Sequence, residues 1–384
     1  MNKILVLHTK YREFGGEDNA VDQEIRLLES HPNYKVEKLL YSNNSANFFT
    51  LLKIMITGSN NLANKEILEK ITNFNPDIIY IHNTWFFLFT RIFKLLKQNN
   101  HKVAIKLHNF RYVCTGSFFA RVHFKDIKFC KACGNSRKDM GIFNKYYLDS
   151  YFKSFFLILY GRKYIKVLKE YDFKLIVLNS FHKDYLINYY YINEENIFVI
   201  PNYIDNKEQA PHNKKNQLLY AGRVSKQKGL IELLDTFLKS NLNDYKIIII
   251  GDGPDLNYFK NKYISKRVEF RGAQSNKYVI DELLTSKFVV TSTKMLEGQP
   301  TILCEASLNG VPSIFPNNGG IKEFFPEDYQ FIYNQNDDLS LLKALNKISA
   351  LRDLSEIGLK NKYFILSHLS KDKIFNEFDK LVNS

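Results

Sequence analysis

A chain of 384 residues with 45% hydrophobic and 24% charged residues has the composition of a globular protein, and its length favours two domains. No run approaches the roughly 18 uncharged apolar residues of a membrane span, and four cysteines do not suggest a secreted disulfide scaffold. The net charge of +14 has no accompanying nucleic-acid-binding fingerprint, and no secretory signal opens the sequence, so we expect a cytoplasmic protein without a nucleic-acid partner.

The first half of the chain alternates strand-like and helical patterns. A helical pattern over Asn19–Glu29 follows the first strand. The predicted strands are Lys3–Leu7, Lys35–Leu40, Asp77–Ile81, Val103–Leu107, Leu175–Leu178 and Ile197–Ile200. Residues 1–200 are therefore expected to form an α/β domain.

The polar segment 201–217 is the predicted linker, and the alternation then restarts over residues 218–367. The strands here are Leu218–Ala221, Lys246–Ile250, Val268–Arg271, Phe288–Thr291 and Ser313–Phe315. This pattern predicts two doubly wound parallel sheets with ligands at the carboxyl ends of the strands, in a cleft between the domains. An amphipathic helix in residues 368–384 is expected to pack back on the first domain.

The excess positive charge lies in one segment, residues 91–174, which has 19 basic and 5 acidic residues, whereas the rest of the chain has 35 of each. Aromatics such as Phe118, Phe119, Phe155 and Phe156 alternate with these basic residues. Such a mixture suits an anionic, partly apolar surface, namely a membrane, a lipid-linked acceptor or a polyanionic glycan. A solvated basic face over core aromatics is the alternative.

The richest motif of the second domain follows the strand that ends at Thr291. Pro300 marks a helix start, where backbone amides lack intrahelical partners and can bind an anion or a hydroxyl. Glu305, further along the helix, can accept hydrogen bonds from a ribose diol. Upstream, Arg223 and Lys228 lie on a glycine-containing connection after another strand, and two cations there suit a diphosphate.

Glu297 and Glu305, separated by seven residues, resemble the E-x7-E signature of the retaining family 4 glycosyltransferases of GT-B fold. The flanking motifs are similar in order and spacing over roughly residues 175–325. They are Val199-Ile200-Pro201-Asn202, the Gly-Arg-x4-Lys-Gly run at Gly222–Gly229, Gly251-Asp252-Gly253-Pro254 and Asn318-Gly319-Gly320.

The resemblance implies roles for these residues. Arg223 and Lys228 would stabilise the leaving diphosphate, Glu305 would hold the ribose, and Glu297 would contact the transferred sugar. The residues that follow Glu297 would bind the donor as well, largely through their backbone, and they are Gly298, Gln299, Pro300 and Thr301. Gly251 and Gly253 would border the nucleoside pocket, or serve only as a tight turn.

Three features of the first domain resemble the family more loosely. Gly15 and Gly16 would let the backbone approach the donor phosphates, or would form a simple turn before a helix. His108 would lie beside the donor sugar, unless it is a structural histidine. His82 and Asn83 end a neighbouring strand and are weaker candidates for acceptor contact.

Cys114, Cys130 and Cys133 have zinc-ligand spacing in their C-x2-C part, but a fourth ligand would have to come from elsewhere. A structural zinc, a disulfide or redox pair, and unliganded thiols all remain open. No Asp-x-Asp metal motif lies in the segments expected to line the cleft, so catalysis is expected to need no metal.

The sequence thus predicts a metal-independent retaining glycosyltransferase that uses a nucleotide-diphosphate sugar, with UDP as the expected nucleotide. Its acceptor would be a glycan or lipid-linked glycan of bacterial-type surface polysaccharide, reached from the cytoplasmic face of the membrane. Nucleotide-sugar 2-epimerases share the architecture and are one alternative. A catalytically inactive glycan- or lipid-binding relative is the other.

Overall fold

The computed structural model describes residues 1–11, 15–45, 48–110, 112, 150–205, 212–351 and 353–384. The chain divides into two compact units. Unit 1 consists of Met1–Tyr203 together with Ser370–Ser384, and unit 2 is Ile204–Leu369. The first strand of unit 2 begins at Lys215, inside the segment that the sequence indicates as linker.

Unit 1 contains a parallel sheet with the strand order β2-β1-β3-β4-β5-β6 in the described part of the chain. Four of its strands are buried along most of their length, as expected of a parallel sheet covered by helices, whereas the edge strand that begins at Tyr34 is partly exposed. The strands are β1 (Asn2–Lys10), β2 (Tyr34–Ser42), β3 (Ile78–Asn83), β4 (Val103–Lys106), β5 (Lys174–Val177) and β6 (Ile197–Val199).

The helices of unit 1 are α1 (Gly16–Glu29), α2 (Phe48–Thr57), α3 (Asn61–Phe74), α4 (Arg91–Gln98), α5 (Tyr151–Glu170), α6 (Ser180–Tyr190) and, from the end of the chain, α13 (Lys371–Asn383). Side-chain caps fix several helix starts: Ser150 accepts the Lys153 amide and Asn179 accepts the His182 amide. Short 3₁₀ turns occur at Asn43–Ser45 and Glu194–Asn196.

The core of unit 1 joins the first strands to helix α13. Phe378 and Leu381 are fully buried and pack in one cluster with Ile4, Tyr34 and Tyr80. The Tyr34 hydroxyl donates to Asp379 at the edge of this cluster. Helix α13 therefore supplies part of the apolar cover of this sheet, although it follows unit 2 in the chain.

Unit 2 contains a second parallel sheet in the described residues, with the strand order β12-β11-β10-β7-β8-β9. One of its strands, Lys246–Ile250, is almost entirely isoleucine. Such an apolar run is stable only when helices cover both faces of the sheet. The strands are β7 (Lys215–Ala221), β8 (Lys246–Ile250), β9 (Val268–Gly272), β10 (Ser286–Val290), β11 (Ser313–Asn317) and β12 (Ile332–Asn334).

The helices that cover this sheet are α7 (Leu230–Lys239), α8 (Leu256–Lys262), α9 (Asn276–Thr285), α10 (Thr301–Leu308), α11 (Asp338–Lys347) and α12 (Ser355–His368). Short 3₁₀ turns lie at Lys226–Lys228, Ile321–Phe324 and Ile348–Ala350. Phe237, Phe288 and Phe315 are fully buried in the core that these elements enclose.

The structure confirms the predicted fold class, two parallel α/β sheets with flanking helices. Every predicted strand is present, with ends that differ by a few residues. Strand β12 was not predicted, and helix α1 begins at Gly16 rather than Asn19. None of the helices among the described residues combines the length and apolar character needed to cross a bilayer.

Candidate active site

The predicted site residues of unit 2 follow the carboxyl ends of neighbouring strands. In this sheet β8 and β9 are added on one side of β7 and β10 to β12 on the other, and parallel sheets bind ligands outside such a switch point. Arg223 and Lys228 follow β7, while Glu297 and Glu305 follow β10. The sheet therefore places the two cations and the two carboxylates at the same edge, on either side of the switch point.

Two hydrogen bonds tie the loop after β7 to the loop after β10. The Ser292 hydroxyl donates to the Lys228 carbonyl at 2.9 Å, and the Lys294 amide donates to the Gln227 carbonyl at 3.1 Å. Lys228 ends a 3₁₀ turn that leads into α7, so its side chain projects from a fixed backbone. Arg223 is exposed, and its carbonyl accepts the Tyr220 hydroxyl at 2.9 Å.

Lys228 and Glu297 form an ion pair, with 2.5 Å between Nζ and Oε1. The Thr293 hydroxyl also donates to Glu297 Oε1, at 3.0 Å, and accepts the Met295 amide at 3.2 Å. The Glu297 carbonyl accepts the Gly320 amide at 3.1 Å, which anchors the residue to the loop after β11. These contacts hold a lysine and a carboxylate together in a half-buried position before any ligand is bound.

Helix α10 starts where the sequence predicts, with Pro300 as its N-cap and Thr301 as its first residue. The Pro300 carbonyl accepts the amides of Leu303 and Cys304, which are the first bonds of the helix. Gln299 is buried, and its amide group donates to the Cys304 sulfur at 4.0 Å. The side chain of Gln299 is thus directed into unit 2. Its predicted contact with the nucleotide-sugar donor would therefore be made by its backbone.

Glu305 lies in α10 in a poorly solvated position. Burial raises the pKa of its carboxyl from 4.5 to about 7, and a hydrogen bond from the Asn276 side chain offsets part of this shift. Because burial makes ionisation of Glu305 unfavourable, a ligand that donates hydrogen bonds to the carboxylate would stabilise its ionised form. Because Asn276 begins helix α9, the site takes a residue from an element outside the predicted motif.

Gly251 and Gly253 lie where the loops after β8 and β7 approach closely. A Cβ on Gly251 would stand 1.9 Å from the Gly222 carbonyl oxygen, and one on Gly253 would stand 2.3 Å from that of Val224. Hydrogen bonds connect the same loops, with the Val224 amide donating to the Asp252 carbonyl at 2.8 Å. Both glycines are therefore required by backbone packing, which is the architectural alternative left open by the sequence.

In unit 1, Gly15 caps helix α1 and Gly16 is its first residue. Asp18 binds the backbone of two residues before this helix, because its carboxylate accepts the Gly15 amide at 3.1 Å and the Tyr11 amide at 3.4 Å. The same carboxylate accepts His8 Nε2 at 2.9 Å, and both side chains are fully buried. The glycine pair thus sits at a helix N-terminus with a fixed backbone.

His82 ends β3 and His108 follows β4, and the two rings are hydrogen bonded, with 2.9 Å between His82 Nδ1 and His108 Nε2. Burial and nearby cationic groups lower the pKa of both rings well below the ordinary value. The Asn83 side chain is hydrogen bonded to backbone groups, because it donates to the Thr9 carbonyl and accepts the Trp85 amide. His82 and His108 are therefore one unit, whereas Asn83 has a structural function in this loop.

The histidine pair lines a pocket of about 40 Å³ in unit 1. Glu17 also lines it and accepts hydrogen bonds from Tyr11 at 2.9 Å and from Asn109 at 3.0 Å. Several tyrosines complete the wall, namely Tyr11, Tyr112, Tyr160 and Tyr164. The pocket is small and presents polar groups between aromatic rings.

Part of the prediction falls outside the described residues: Cys114, Cys130 and Cys133, and the aromatics Phe118 and Phe119. Within the residues that are described, no group of three or more potential ligands could hold a metal ion.

Four features of these sites were not predicted from the sequence, namely Thr293, Asn276, Glu17 and the His8–Asp18 pair. Asn276 and Glu305 are far apart in sequence, and no local pattern connects them. Thr293 is four positions before Glu297, but a threonine in a loop has no diagnostic spacing. His8 ends an apolar strand, and a polar residue at a strand's carboxyl end was the available signal.

Residues 203–363 match the family model described as glycosyl transferases group 1. The amylovoran biosynthesis glycosyltransferase AmsD of Erwinia amylovora is 27% identical over 192 residues, covering 47% of this chain and 54% of that protein. The lipopolysaccharide 1,2-N-acetylglucosaminetransferase of Salmonella typhimurium is 25% identical over 178 residues, covering 42% of this chain and 46% of that protein. The chain spans about half the length of these curated relatives.

Among solved structures, HepE of Anabaena in complex with UDP matches with a TM-score of 0.66 and 13% sequence identity, covering 100% of both chains. At this identity the likeness concerns the fold, which is GT-B as the sequence predicts.

Proposed function

We propose that this protein is a glycosyltransferase, because residues 203–363 match the model of the glycosyl transferases group 1 and the chain has the GT-B fold. It moves a sugar from a nucleotide-diphosphate donor onto an acceptor, with retention of anomeric configuration. The observation that carries the proposal is the position of Arg223, Lys228, Glu297 and Glu305 around the switch point of unit 2, with Lys228 and Glu297 already paired.

Each of these groups has a role in the proposed reaction. Arg223 and Lys228 stabilise negative charge on the departing diphosphate, which grows as the bond to the sugar breaks. Glu305 accepts hydrogen bonds from the ribose hydroxyls. Glu297 contacts hydroxyls of the transferred sugar, and His108 of unit 1 does the same.

The Lys228–Glu297 pair adds a condition to this scheme. In the free protein the charge of Lys228 is compensated by Glu297 at 2.5 Å. An arriving diphosphate must share or replace this partner, and the sugar hydroxyls then satisfy the carboxylate. Donor binding would thus exchange one set of charge-assisted hydrogen bonds for another, so that full stabilisation by Lys228 develops only on the departing diphosphate.

The described carboxylates of the site offer no free nucleophile, since Glu297 is ion-paired and the pKa of Glu305 is raised. We therefore favour departure and attack on the same face of the sugar, through an oxocarbenium-like state. The departing phosphate takes the proton of the acceptor hydroxyl. The two cations provide the charge that a metal provides elsewhere, so the proposed reaction needs no metal.

The donor is proposed to be a UDP-sugar, which is consistent with the UDP complex of HepE. The acceptor is proposed to be a glycan or lipid-linked glycan of bacterial surface polysaccharide. This agrees with the names of the two curated relatives, which concern amylovoran and lipopolysaccharide.

We also propose peripheral binding to the cytoplasmic face of an anionic membrane. At the start of α5 the side chains of Tyr151, Phe152 and Phe155 are 56%, 50% and 44% exposed, with the exposed Lys153 between them. Phe156 is partly buried and packs on Phe152, so it contributes less to this exposed aromatic surface than the sequence suggests. Exposed aromatics beside lysines favour insertion at an anionic headgroup layer.

The proposed function is tested by incubating the protein with a panel of nucleotide sugars and measuring release of free nucleotide. Slow hydrolysis of one donor, faster with a glycan acceptor, is expected. Conversion of the sugar to its epimer would instead indicate an epimerase. Absence of any turnover, with binding retained, would indicate an inactive relative.

The matched control is Lys294, a lysine of the adjoining loop after β10 whose ammonium is paired with Glu232. Lys228→Ala should abolish most of the hydrolysis, whereas Lys294→Ala should leave most of it. Equal loss in both variants would show a general effect of loop disruption and would remove the specific role of Lys228.

A further inference from the structure

His82 and His108 meet at the carboxyl ends of adjacent strands. Their rings are nearly parallel, with an interplanar angle of 23° and 5.2 Å between centroids, and one hydrogen bond joins them. The outer nitrogens, His82 Nε2 and His108 Nδ1, are buried and have no hydrogen-bond partner among the described residues. Two neutral rings joined in this way carry two hydrogens on four nitrogens. One hydrogen lies in the central bond, so the state of the pair is fixed by which outer nitrogen carries the other.

Both rings are neutral at ordinary pH. Burial is the largest cause of their lowered pKa values, and the ammonium of Lys106 and the ring of His8 act in the same direction. Lys106 is itself buried and paired with Glu24 at 2.7 Å. The pair therefore acts through hydrogen bonds rather than through charge.

Two arrangements of the hydrogens satisfy the central bond. In the first, His82 donates from Nδ1, and His108 carries its own hydrogen on Nδ1. In the second, His108 donates from Nε2, and His82 carries a hydrogen on Nε2. They differ in which outer nitrogen is an N–H group and which is a bare acceptor.

The surroundings favour the first arrangement. His82 is only 4% exposed and lies beside the Tyr80 ring, at 4.3 Å between centroids, and beside His8. In either arrangement one outer N–H has no acceptor among the described residues, so the favoured arrangement is the one whose N–H a ligand can reach. Both rings line the pocket, but His108 is the more exposed of the two, so a ligand oxygen can accept a hydrogen more readily from His108.

We propose that His82 is a positioning residue, which holds His108 in the Nδ1–H tautomer so that His108 donates a hydrogen bond to a hydroxyl oxygen of the sugar. This inference rests on the proposed function for the identity of the ligand. It extends that function by giving His108 a defined donor character. It also assigns His82 a role in unit 1 other than contact with the acceptor.

The tautomer is measured directly by long-range ¹H–¹⁵N correlation spectra of the protein labelled with ¹⁵N-histidine. The wild-type protein should show His108 with its hydrogen on Nδ1. His82→Phe keeps a ring but removes the donor, so His108 should change to the Nε2–H form, which imidazole prefers in water. An Nε2–H form in the wild type, or an unchanged spectrum in His82→Phe, would overturn the proposal.

Kinetics give a second readout. His82→Phe should lower kcat/KM for the nucleotide sugar roughly tenfold, the size of one lost hydrogen bond, without changing the Kd of free UDP. His82→Asn, whose amide can donate from about the same place as Nδ1, should recover most of the loss. His101→Asn, at the opposite end of β4, is the matched control and should behave as the wild type.

If His82→Phe does not fold, as judged by circular dichroism and thermal unfolding, the wild-type spectrum and His82→Asn still decide the question. If no nucleotide sugar is turned over, the proposed function fails, and the tautomer measurement remains valid. Activity in His82→Asn no higher than in a folded His82→Phe would mean that the hydrogen bond is not what His82 contributes.

Discussion

Glu305→Gln is the substitution that links the chemistry of the candidate site most directly to a measurable energy. The pKa of Glu305 is raised from 4.5 to about 7 by burial, so the folded protein binds a proton more tightly than the unfolded chain does. The cost of ionising this carboxyl is absent below about pH 4.5, grows between pH 4.5 and 7, and is complete above about pH 7.

This difference in pKa between the folded and the unfolded protein corresponds to about 3 kcal/mol in the free energy of unfolding, since one pKa unit is about 1.4 kcal/mol. Glutamine cannot ionise, so Glu305→Gln should be more stable than the wild type at pH 8, by up to about 3 kcal/mol. The two proteins should approach each other in stability near pH 5. Urea unfolding at both pH values measures the difference, with the exposed Glu327→Gln as control.

Binding should depend on pH in the opposite sense. A ribose diol donates to the ionised carboxylate, so the ligand favours the form that the free protein disfavours. Between pH 8 and pH 6 the affinity for UDP-glucose should fall about tenfold, because only about a tenth of Glu305 is ionised at pH 6. The diphosphate of a nucleotide sugar does not titrate in this range, so the change belongs to the protein.

Calorimetry at pH 6, 7 and 8 provides the assay, and in buffers of different ionisation enthalpy it also counts the protons released. Glu305→Gln and Glu305→Ala should bind weakly, with affinities that do not vary with pH. Unchanged nucleotide affinity in Glu305→Ala would refute the ribose contact. An affinity that rises toward pH 6 would show that a protonated Glu305 donates to the ligand instead.

Three further outcomes are expected. Arg223→Ala should lower turnover about 10²–10³-fold with a smaller effect on donor affinity, and near-normal turnover would exclude it as a stabiliser of the departing diphosphate. The protein should bind anionic vesicles less as salt rises, and neutral vesicles weakly. Charge reversal at Lys153, Arg162 and Lys163 should impair transfer to a lipid-linked acceptor without affecting donor hydrolysis, and indifference of the wild type to anionic vesicles at low salt would end the membrane hypothesis. Phe378→Ala should destabilise the protein by about 3–5 kcal/mol in urea unfolding, and a loss below about 1 kcal/mol would contradict its place in the core.

The fold could be predicted because it depends on local patterns. A strand such as β8 (Lys246–Ile250) is apolar along its length, since helices cover both faces of a parallel sheet. Strand β12 (Ile332–Asn334) is three residues long at the sheet's edge, too short for any periodicity to show. Likewise, the start of α10 was readable from Pro300, a residue that fits the first turn of a helix.

The contacts within the site were less accessible from the sequence. Spacing indicated that Lys228 and Glu297 belong to one site, but their ion pair joins residues 69 positions apart and depends on how two loops pack. The bond between His82 and His108 depends in turn on the pairing of β3 with β4. Sequence patterns indicate which strand ends carry polar residues, whereas the sheet determines which of those residues touch.

Helix α13 has a consequence for the order in which the protein is made. Its buried side chains complete the core of unit 1, yet Ser370–Ser384 leave the ribosome only after all of Ile204–Leu369. Unit 1 therefore cannot complete its core until the whole chain has been synthesised, and until then part of its sheet is uncovered. The domain that begins first is finished last, and until α13 docks it presents an apolar surface of the kind that chaperones bind.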